Sequence, residues 1–583
     1  MLVFLVLLVI LFPWLGSLAV WLAGNPRPRL QHRLAVLFSV CTAIASLALI
    51  TYASSETSVV ILLPLGESFG ELVFVPDGLA VSLTAIAAVI GLLAVIFSVD
   101  YMHGDAQLGR YYFLVLFFIG AMTGLVLSGN LLFTFFFWEI TALCSYGLIS
   151  FYNDDPKAVA GGLKALIITQ VGGVGLLVGT LIAYSTLGSF EIRDLLASAE
   201  TLPVASLAWI AFSFLVAAAA KSAQFPFHTW LPDAMEAPTP VSALIHAATM
   251  VNAGIYLLAR FYPVFEPVPG WTTAVLLVGL ISALIAALSA MIATDLKRVL
   301  AYSTVSQLGY MVFAIGAGGV FASQFHLLSH AVFKALLFLA AGSVIHSVGT
   351  RDLRRMGGLG GRMPFVRNVF IVGALALAGV PLLNGFWSKE LILEAGLEHS
   401  PFWMYALMLT GAGLTAFYTL RMVWLVFYGE ERDHLHYHPA GPAMKISLAV
   451  LAAGSFTTWL LFGGLNDLLA GTLPFHQIQH ESLLEMITLV LSAPSTWLAL
   501  GVVAVGFGIS WVRARGLVLF GGGWLKPFVD TSFGFETLNH VAVRGISAIG
   551  ERLRVTQTGE LNWNILGIVS GLLVVLVVLW LGA

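Results

Sequence analysis

Residues 217–250 read AAAAKSAQFPFHTWLPDAMEAPTPVSALIHAATM. An apolar run of membrane-helix character carries Lys221, breaks at Pro226 and Pro232, and gives way to a second apolar run that holds His246. A bilayer opposes each choice. A lysine at the centre of a spanning helix costs about 2.5–3.5 kcal/mol on insertion scales. A proline inside a helix removes a hydrogen bond and clashes with the preceding turn, at about 3 kcal/mol or more. Backbone freed in this way is tolerated at membrane depth only where protein or trapped water satisfies it. The stretch therefore reads as a discontinuous helix built around a polar site.

The rest of the chain supports a membrane setting. Of 583 residues, 59% are hydrophobic and 10% charged, against about 25% charged in soluble domains, and mean hydropathy is +0.95. This is the composition of an all-α polytopic membrane protein. Apolar runs predict about sixteen transmembrane helices, near 2–24, 33–53, 77–98, 110–128, 130–151, 158–185, 205–235 (broken), 239–262, 271–293, 297–318, 322–347, 368–394 (broken), 402–428, 444–470, 485–513 and 563–582. The N-terminal run lacks a basic leader and a small-residue cleavage site, so it reads as a retained first span. The net charge of −3 and the lack of a basic run give no sign of nucleic-acid binding. Cys41 and Cys144 lie in apolar helical stretches and offer neither a disulfide framework nor metal-ligand spacing.

Loop charge predicts orientation. The basic loops at 25–33, 295–298 and 350–368 and the segment after Trp511 fall on one side of a sixteen-span chain. The loop at 54–76, with Glu56, Glu67 and Glu71, falls on the other. The positive-inside rule then places both termini outside the cytoplasm. Segment 514–562 is too polar to span. Within it, FETLNHVAVRGISAIGERLRV (535–555) spaces apolar residues as a short amphipathic lateral helix would, with Gly521, Gly522 and Gly523 interrupting anything longer.

A second break, LAGVPLLNGFWSKELIL, sets Pro381 and Gly385 before Lys389. Two proline- or glycine-interrupted spans in separate parts of a chain point to a transporter built from repeats. Spans 110–262 and 271–428 each number five, with the break in the fourth. An odd number of spans makes the repeats inverted. The expected organisation is N-terminal helices in 1–109, a first repeat in 110–262, a second in 271–428, further helices in 429–513, the lateral arm in 514–562 and a last helix in 563–583.

Ionisable residues recur within these spans: Glu139, Lys164, Lys221, His246, then His326, His330 and Lys334 at i, i+4 and i+8 on one helix face, and Lys389. A desolvated lysine can release and regain a proton near neutrality, and histidine titrates there already. These residue types suit a proton relay through a membrane. Blander readings stand beside it: a static Glu139–Lys221 ion pair, Lys164 snorkelling to the interface, and His246 as a core histidine. The His326–His330 spacing would also suit a metal or haem, but no carboxylate or cysteine nearby completes a metal site. HLHYH (434–438) reads as a solvated turn; Asp233, Glu236, Asp295, Lys297 and Arg298 read as anchors or caps at span ends. With no phosphate loop, cysteine cluster or nucleophile motif, the expectation is no cofactor in this chain and no redox chemistry of its own.

KSAQFPFHTWLPDAMEAPTPVSALIHAATMVNAG, DLKRVLAYSTVSQLGYM and SHAVFKALLFLAAGSVIH resemble the antiporter-like subunits of respiratory complex I (subunit L of NADH–quinone oxidoreductase) and of Mrp-type cation/proton antiporters. The resemblance covers residues 77–428 strongly. It implies two inverted five-helix repeats, with Glu139 and Lys221 as the coupled pair of one half-channel. His246 would be the central link, His326, His330 and Lys334 the continuing relay, and Lys389 the terminal site. It further implies antiporter-like and quinone-binding partner subunits, in a bacterial or archaeal plasma membrane. Protons are the expected cargo, with Na⁺ as the coupled cation in the Mrp-type alternative. Gln170 and Gly173 stand where complex I L subunits usually carry an Arg and an Asp. That stretch is closer to the large Mrp subunit, whereas RVTQTGELNWN before the last span is closer to subunit L.

Overall fold

The computed structural model describes residues 1–53, 59–61, 71–198, 201–431, 438–514, 527–528 and 532–554. The chain divides into two units, Met1–Gly521 and Gly522–Ala583. The first opens with α1 (Leu2–Ala23) and α2 (Pro28–Ile50), a hairpin of β1 (Val59–Ile61) against β2 (Leu72–Phe74), and α3 (Gly78–Tyr101). A first set of helices follows: α4 (Leu108–Leu127), α5 (Leu131–Ile149), α6 (Pro156–Leu187), a short α7 (Ile192–Ala197), α8 (Val204–Lys221) continued after a break by α9 (Trp230–Asp233), then α10 (Thr239–Ala243) running through a π turn at Leu244–Ala248 into α11 (Met250–Phe265).

The second set is α12 (Trp271–Ile292), α13 (Leu296–Gly316), α14 (Val320–Val348), α15 (Pro364–Ala378) continued after a break by α16 (Asn384–His399), and α17 (Phe402–Val423) with a π turn at Trp424–Tyr428. Then come α18 (Pro442–Thr457), α19 (Phe462–Thr472), α20 (Leu483–Ser492) and α21 (Pro494–Ala514). In the second unit, α22 (Phe535–Arg554) matches the expected amphipathic segment. The expected last span, 563–582, the glycines 521–523 and most of HLHYH lie outside the described residues.

Among the described residues, fourteen helical stretches are long and apolar enough to cross a membrane. A fifteenth expected span, near 368–394, is the pair α15 and α16. One expectation is corrected. The span expected at 485–513 is two helices, because Pro494 starts α21 afresh and turns Ala493 to an extended conformation. The breaks are also narrower than their sequence markers. Pro226 and Pro381 lie in the gaps between half-helices, whereas Pro232 sits inside α9 and Gly385 in the first turn of α16. A Cβ at Gly385 would overlap the Ala376 carbonyl, so that glycine lets the two half-helices approach.

Local chemistry explains the helix starts. The side chains of Asp77, Asn130, Asp155 and Asp295 each accept from backbone N–H groups of the first turn they precede. Small residues set the packing. At the α12–α13 crossing a Cβ on Gly309 would lie 2.7 Å from the Gly279 carbonyl oxygen, so the backbones meet directly.

At the end of the first unit that holds the β hairpin, Asp77 at the start of α3 takes both Nη atoms of Arg260 from α11, and both side chains are 6% exposed. Gly78 N–H donates to Thr472 Oγ1 at 2.7 Å beside it, so α3, α11 and α19 are tied there. Removing one partner of a buried ion pair leaves an uncompensated charge, at about 3–5 kcal/mol. Thermal unfolding of the purified Arg260→Met protein should show a loss of that order. Combining it with Asp77→Asn, which removes the charge but keeps the N-cap of α3, should restore most of the loss.

Candidate functional site

The buried polar groups of the first unit fall in a row that crosses both helix sets. It begins at α5 and α6. Gln170 donates from Nε2 to the half-buried Glu139 carboxylate. Gly173, one turn further along α6, leaves the room: a Cβ there would overlap Glu139 Oε1. Lys221, at the end of α8, is fully buried. Its Nζ donates to the Trp138 carbonyl at 2.8 Å and stands 4.8 Å from the Trp138 ring centroid. Lys221 thus reaches the residue next to Glu139 and feels its charge, yet the two make no direct salt bridge among the described residues. The static ion pair does not form.

The break after Lys221 is itself polar. Ser222 Oγ donates to Val251 O at 2.7 Å, and Gln224 Nε2 donates to Ser222 O at 2.9 Å and Val305 O at 3.3 Å. His246 occupies the π turn of the next span, fully buried, its ring 5.0 Å from Phe338. A π turn frees carbonyls of the helical ladder. Here Thr249 Oγ1 donates to Leu244 O at 2.7 Å and Asn252 Nδ2 to Ala247 O at 2.8 Å. Such turns recur at functional sites.

The row continues along α14. Lys334 Nζ donates to Ser303 Oγ and to Leu300 O at 3.2 Å, both on α13. His330 lies one turn away with its ring 5.5 Å from Phe333. His326 follows, 6.4 Å from His330, with Nδ1 2.9 Å from Ser388 Oγ and Nε2 3.2 Å from Gln307 Oε1. All three are fully buried, so the spacing read from sequence does bring them together on one face. Ser388 leads to its neighbour Lys389, whose Nζ donates to the Leu377 carbonyl at 2.8 Å, with the Tyr310 ring 5.8 Å away.

Lys164 stands apart. It is partly exposed and paired with Asp233 at 2.7 Å, and Arg298 holds the other oxygen of that carboxylate at 3.0 Å. This cluster lies at the basic-loop end, where Arg351 also pairs with Glu236 at 2.5 Å and Asp295 at 2.6 Å. Sequence reading passed over Ser303, Gln307, Gln224 and Ser388. The signal was present as polar residues in the middle of apolar spans, notably STVSQLGYM. Lys297, read as an anchor, is buried and donates to Met235 O at 2.9 Å and Ala237 O at 2.6 Å. Several buried atoms of the row have no protein hydrogen-bond partner: Glu139 Oε1, Gln224 Oε1, His246 Nδ1, Gln307 Nε2 and both ring nitrogens of His330. Buried polar groups are satisfied by protein or by ordered water, so these atoms mark where water would be held.

Comparison with known proteins fixes the relationship. Residues 128–415 match the family described as NADH:quinone oxidoreductase/Mrp antiporter, TM, and residues 65–112 match NADH-Ubiquinone oxidoreductase (complex I), chain 5 N-terminus. NADH-quinone oxidoreductase subunit L of Escherichia coli is 36% identical over 534 residues, 86% of each chain. The chain belongs to the NADH:quinone oxidoreductase/Mrp antiporter family. Its likeness extends to NAD(P)H-quinone oxidoreductase chain 5 of Picosynechococcus, 44% identical over 385 residues, 63% of this chain but 57% of that one. Against that relative, the chain spans little more than half the length. Among solved structures, the Mrp complex from Dietzia superposes with a TM-score of 0.78 at 28% identity, covering 98% of this chain and 63% of the other. The membrane-bound sulfane sulfur reductase, an archaeal respiratory membrane complex, shares the fold with a TM-score of 0.69 at 24% identity. The family's fold is that of an antiporter-like membrane subunit, and it agrees with the many-span helical fold read from sequence.

The gap at Gly173 gives a direct check. A hydrogen bond to a charged group is worth about 1.5–3 kcal/mol, and Gly173→Val or Gln170→Leu should remove the one that holds Glu139. The Glu139 carboxyl band, assigned in the infrared difference against Glu139→Gln, should shift in both variants. It should stay in place for Val174→Leu, which faces outward from the same helix.

Proposed function

We propose that the chain is the proton-translocating, antiporter-like membrane subunit of a complex I-type NADH–quinone oxidoreductase. The observation that supports this most is the buried row of Glu139, Lys221, His246, Lys334, His330, His326 and Lys389. It links both helix sets, and its lysines rest on carbonyls and hydroxyls rather than carboxylates. A lysine with a neutral partner changes the site's charge each time it gains or loses a proton. A change at one station is then felt at the next. Water at the unpartnered nitrogens and oxygens would supply the hydrogen-bonded links between stations.

In this reading partner subunits carry the flavin, iron–sulfur and quinone chemistry, and this chain carries no cofactor. The basic loops face the cytoplasm of a bacterial or archaeal plasma membrane, with both termini on the other side. A neighbouring membrane subunit covers the outer face of α5 and α6. That face exposes Phe136, Leu143, Leu163, Ile167 and Val174 around the half-buried Glu139, a carboxylate that bare lipid would not tolerate. Lys164, at the basic-loop end, acts as an anchor held by Asp233 rather than as a station of the row.

A second reading, a Na⁺/proton antiporter subunit of Mrp type without redox partners, has its own support. The superposition on the Mrp chain covers nearly the whole length, and Gln170 and Gly173 line the Glu139 site. Partners retained in mild detergent separate the two: NADH- and quinone-binding subunits support the first, and small membrane antiporter subunits alone support the second. In either case Lys221→Ala and Lys389→Ala should assemble normally and lower proton transport by about 10²-fold, the lower bound for losing a proton-transfer group. Normal transport in both assembled variants, measured in proteoliposomes with a pH-sensitive dye, would reject the row as the path.

A further inference from the structure

A second polar site lies away from the row, at the basic-loop end between α17 and α21. A cavity of about 460 Å³ opens there, lined by Arg421, Trp424, Tyr428, Glu430, Ser510 and Arg513 among others. Arg421 donates to the Ala293 carbonyl at 2.9 Å, and the Arg513 guanidinium lies 5.9 Å over the Phe417 ring. Both arginines line this one cavity, and neither makes a salt bridge with a carboxylate among the described residues. Glu430, the acidic group at the mouth, is exposed and bonded to neither. Two like charges held together in a partly dry site call for an anion.

What continues from this cavity says which anion. On one side of α21 an apolar groove of about 350 Å³ runs from Arg513 past Ile509 and Val505 to Val502, against Gly413 and Leu414 of α17. On the other side an apolar groove of about 320 Å³ lies between Phe507, Trp511 and the α15 residues Ile371 and Leu375. From Val502 to Arg513 is eleven residues of helix, or about 16 Å at 1.5 Å per residue. One leaflet of a bilayer hydrocarbon core is about 15 Å deep. Trp424 packs edge-on to Trp511 at 5.4 Å and stacks on Tyr428 at 6.1 Å, and such residues gather at the membrane–water boundary.

We propose that the chain holds one anionic glycerophospholipid here, its phosphate between Arg421 and Arg513 and its acyl chains in the two grooves flanking α21. A soluble anion would use the arginines and leave both grooves unexplained. A zwitterionic lipid would fill the grooves and leave the positive charge of the arginine pair uncompensated. Basic pockets between membrane helices on the cytoplasmic side bind anionic headgroups in this way. α21 packs directly on α17, where a Cβ on Gly506 would overlap the Gly413 carbonyl, and the lipid would fill the grooves on either side of that contact.

The test is native mass spectrometry of the full-length protein in the complex with which it purifies, given phosphatidylglycerol or phosphatidylcholine with the same acyl chains. Phosphatidylglycerol should be retained in preference. At about 1 kcal/mol per arginine near the surface, the Arg421→Gln/Arg513→Gln double variant should lose about thirtyfold in retention. The Arg421→Lys/Arg513→Lys variant should keep most of it. Val505→Trp, which keeps both charges and fills one groove, should lower retention of both lipids. Equal retention of the two lipids by the wild-type protein would overturn the proposal. So would displacement of phosphatidylglycerol by inorganic phosphate, or cross-links from Val505→Cys that capture residues 515–583 or a partner subunit in the groove.

Discussion

Everything in this fold turns on the carbonyls that a broken helix leaves behind. The last turn of any helix has carbonyl oxygens with no intrahelical donor, and in hydrocarbon they cannot turn to bulk water. The α15–α16 break leaves such a turn at mid-span, and Lys389 donates to Leu377 O within it. At the α8–α9 break, Trp230 Nε1 donates to Ala220 O at 3.0 Å and Gln224 N–H to Ala219 O at 2.7 Å. A cation at a helix C-terminus is also favoured by the helix dipole. The interruption and the buried lysine of the second repeat are therefore one device, since the break creates an acceptor that a lysine can reach and the lysine satisfies the break.

That device sorts the charges of the molecule into two kinds. Most cations at the ends of the bundle pair with carboxylates: Arg260 with Asp77 at one, and Arg298, Arg351 and Lys164 with Asp233, Glu236 and Asp295 at the other, where Lys297, Arg421 and Arg513 stand outside that pattern. Such pairs are close to neutral as units and fix geometry. Between them, Lys221, Lys334 and Lys389 meet carbonyls and a hydroxyl. A neutral acceptor holds an ammonium in place without cancelling its charge, so these sites remain able to change charge. The same contrast separates Lys164 from the rest of the row, since a lysine tied to a carboxylate shared with Arg298 has the chemistry of an anchor.

The sequence made the class, the span order and both breaks legible, because composition, apolar run length and proline act locally and do not depend on what packs where. The α14 face was legible for the same reason, since i, i+4, i+8 spacing is a property of one helix. Partners were not. Nothing in LLFTFFFWEITALCSYGLIS shows that Lys221 reaches the carbonyl of Trp138 rather than the carboxylate of Glu139, because that choice is made by how α5 and α8 pack. The division at Pro494 was missed because the apolar run continues across it. The buried capping role of Lys297 was missed because a lysine two residues past an N-cap reads the same whether it points to solvent or folds back on Met235 and Ala237.

The α6 contact sharpens what Glu139 can do. Its carboxylate is held by the neutral amide of Gln170 and sits in space that Gly173 alone leaves open. Burial acts on it first, and Lys221 is the nearby charge that offsets that burial. A charged group on α6 would share that coupling, whereas an amide and a glycine leave it undivided. On the proposed function, a change of charge at Lys221 bears on Glu139 at the face where an adjoining subunit is proposed. Coulombic interaction at a given effective dielectric falls off only as the inverse of distance, so the two side chains need no direct contact to bias one another. Through that carboxylate, what happens at the first break can be felt outside the chain.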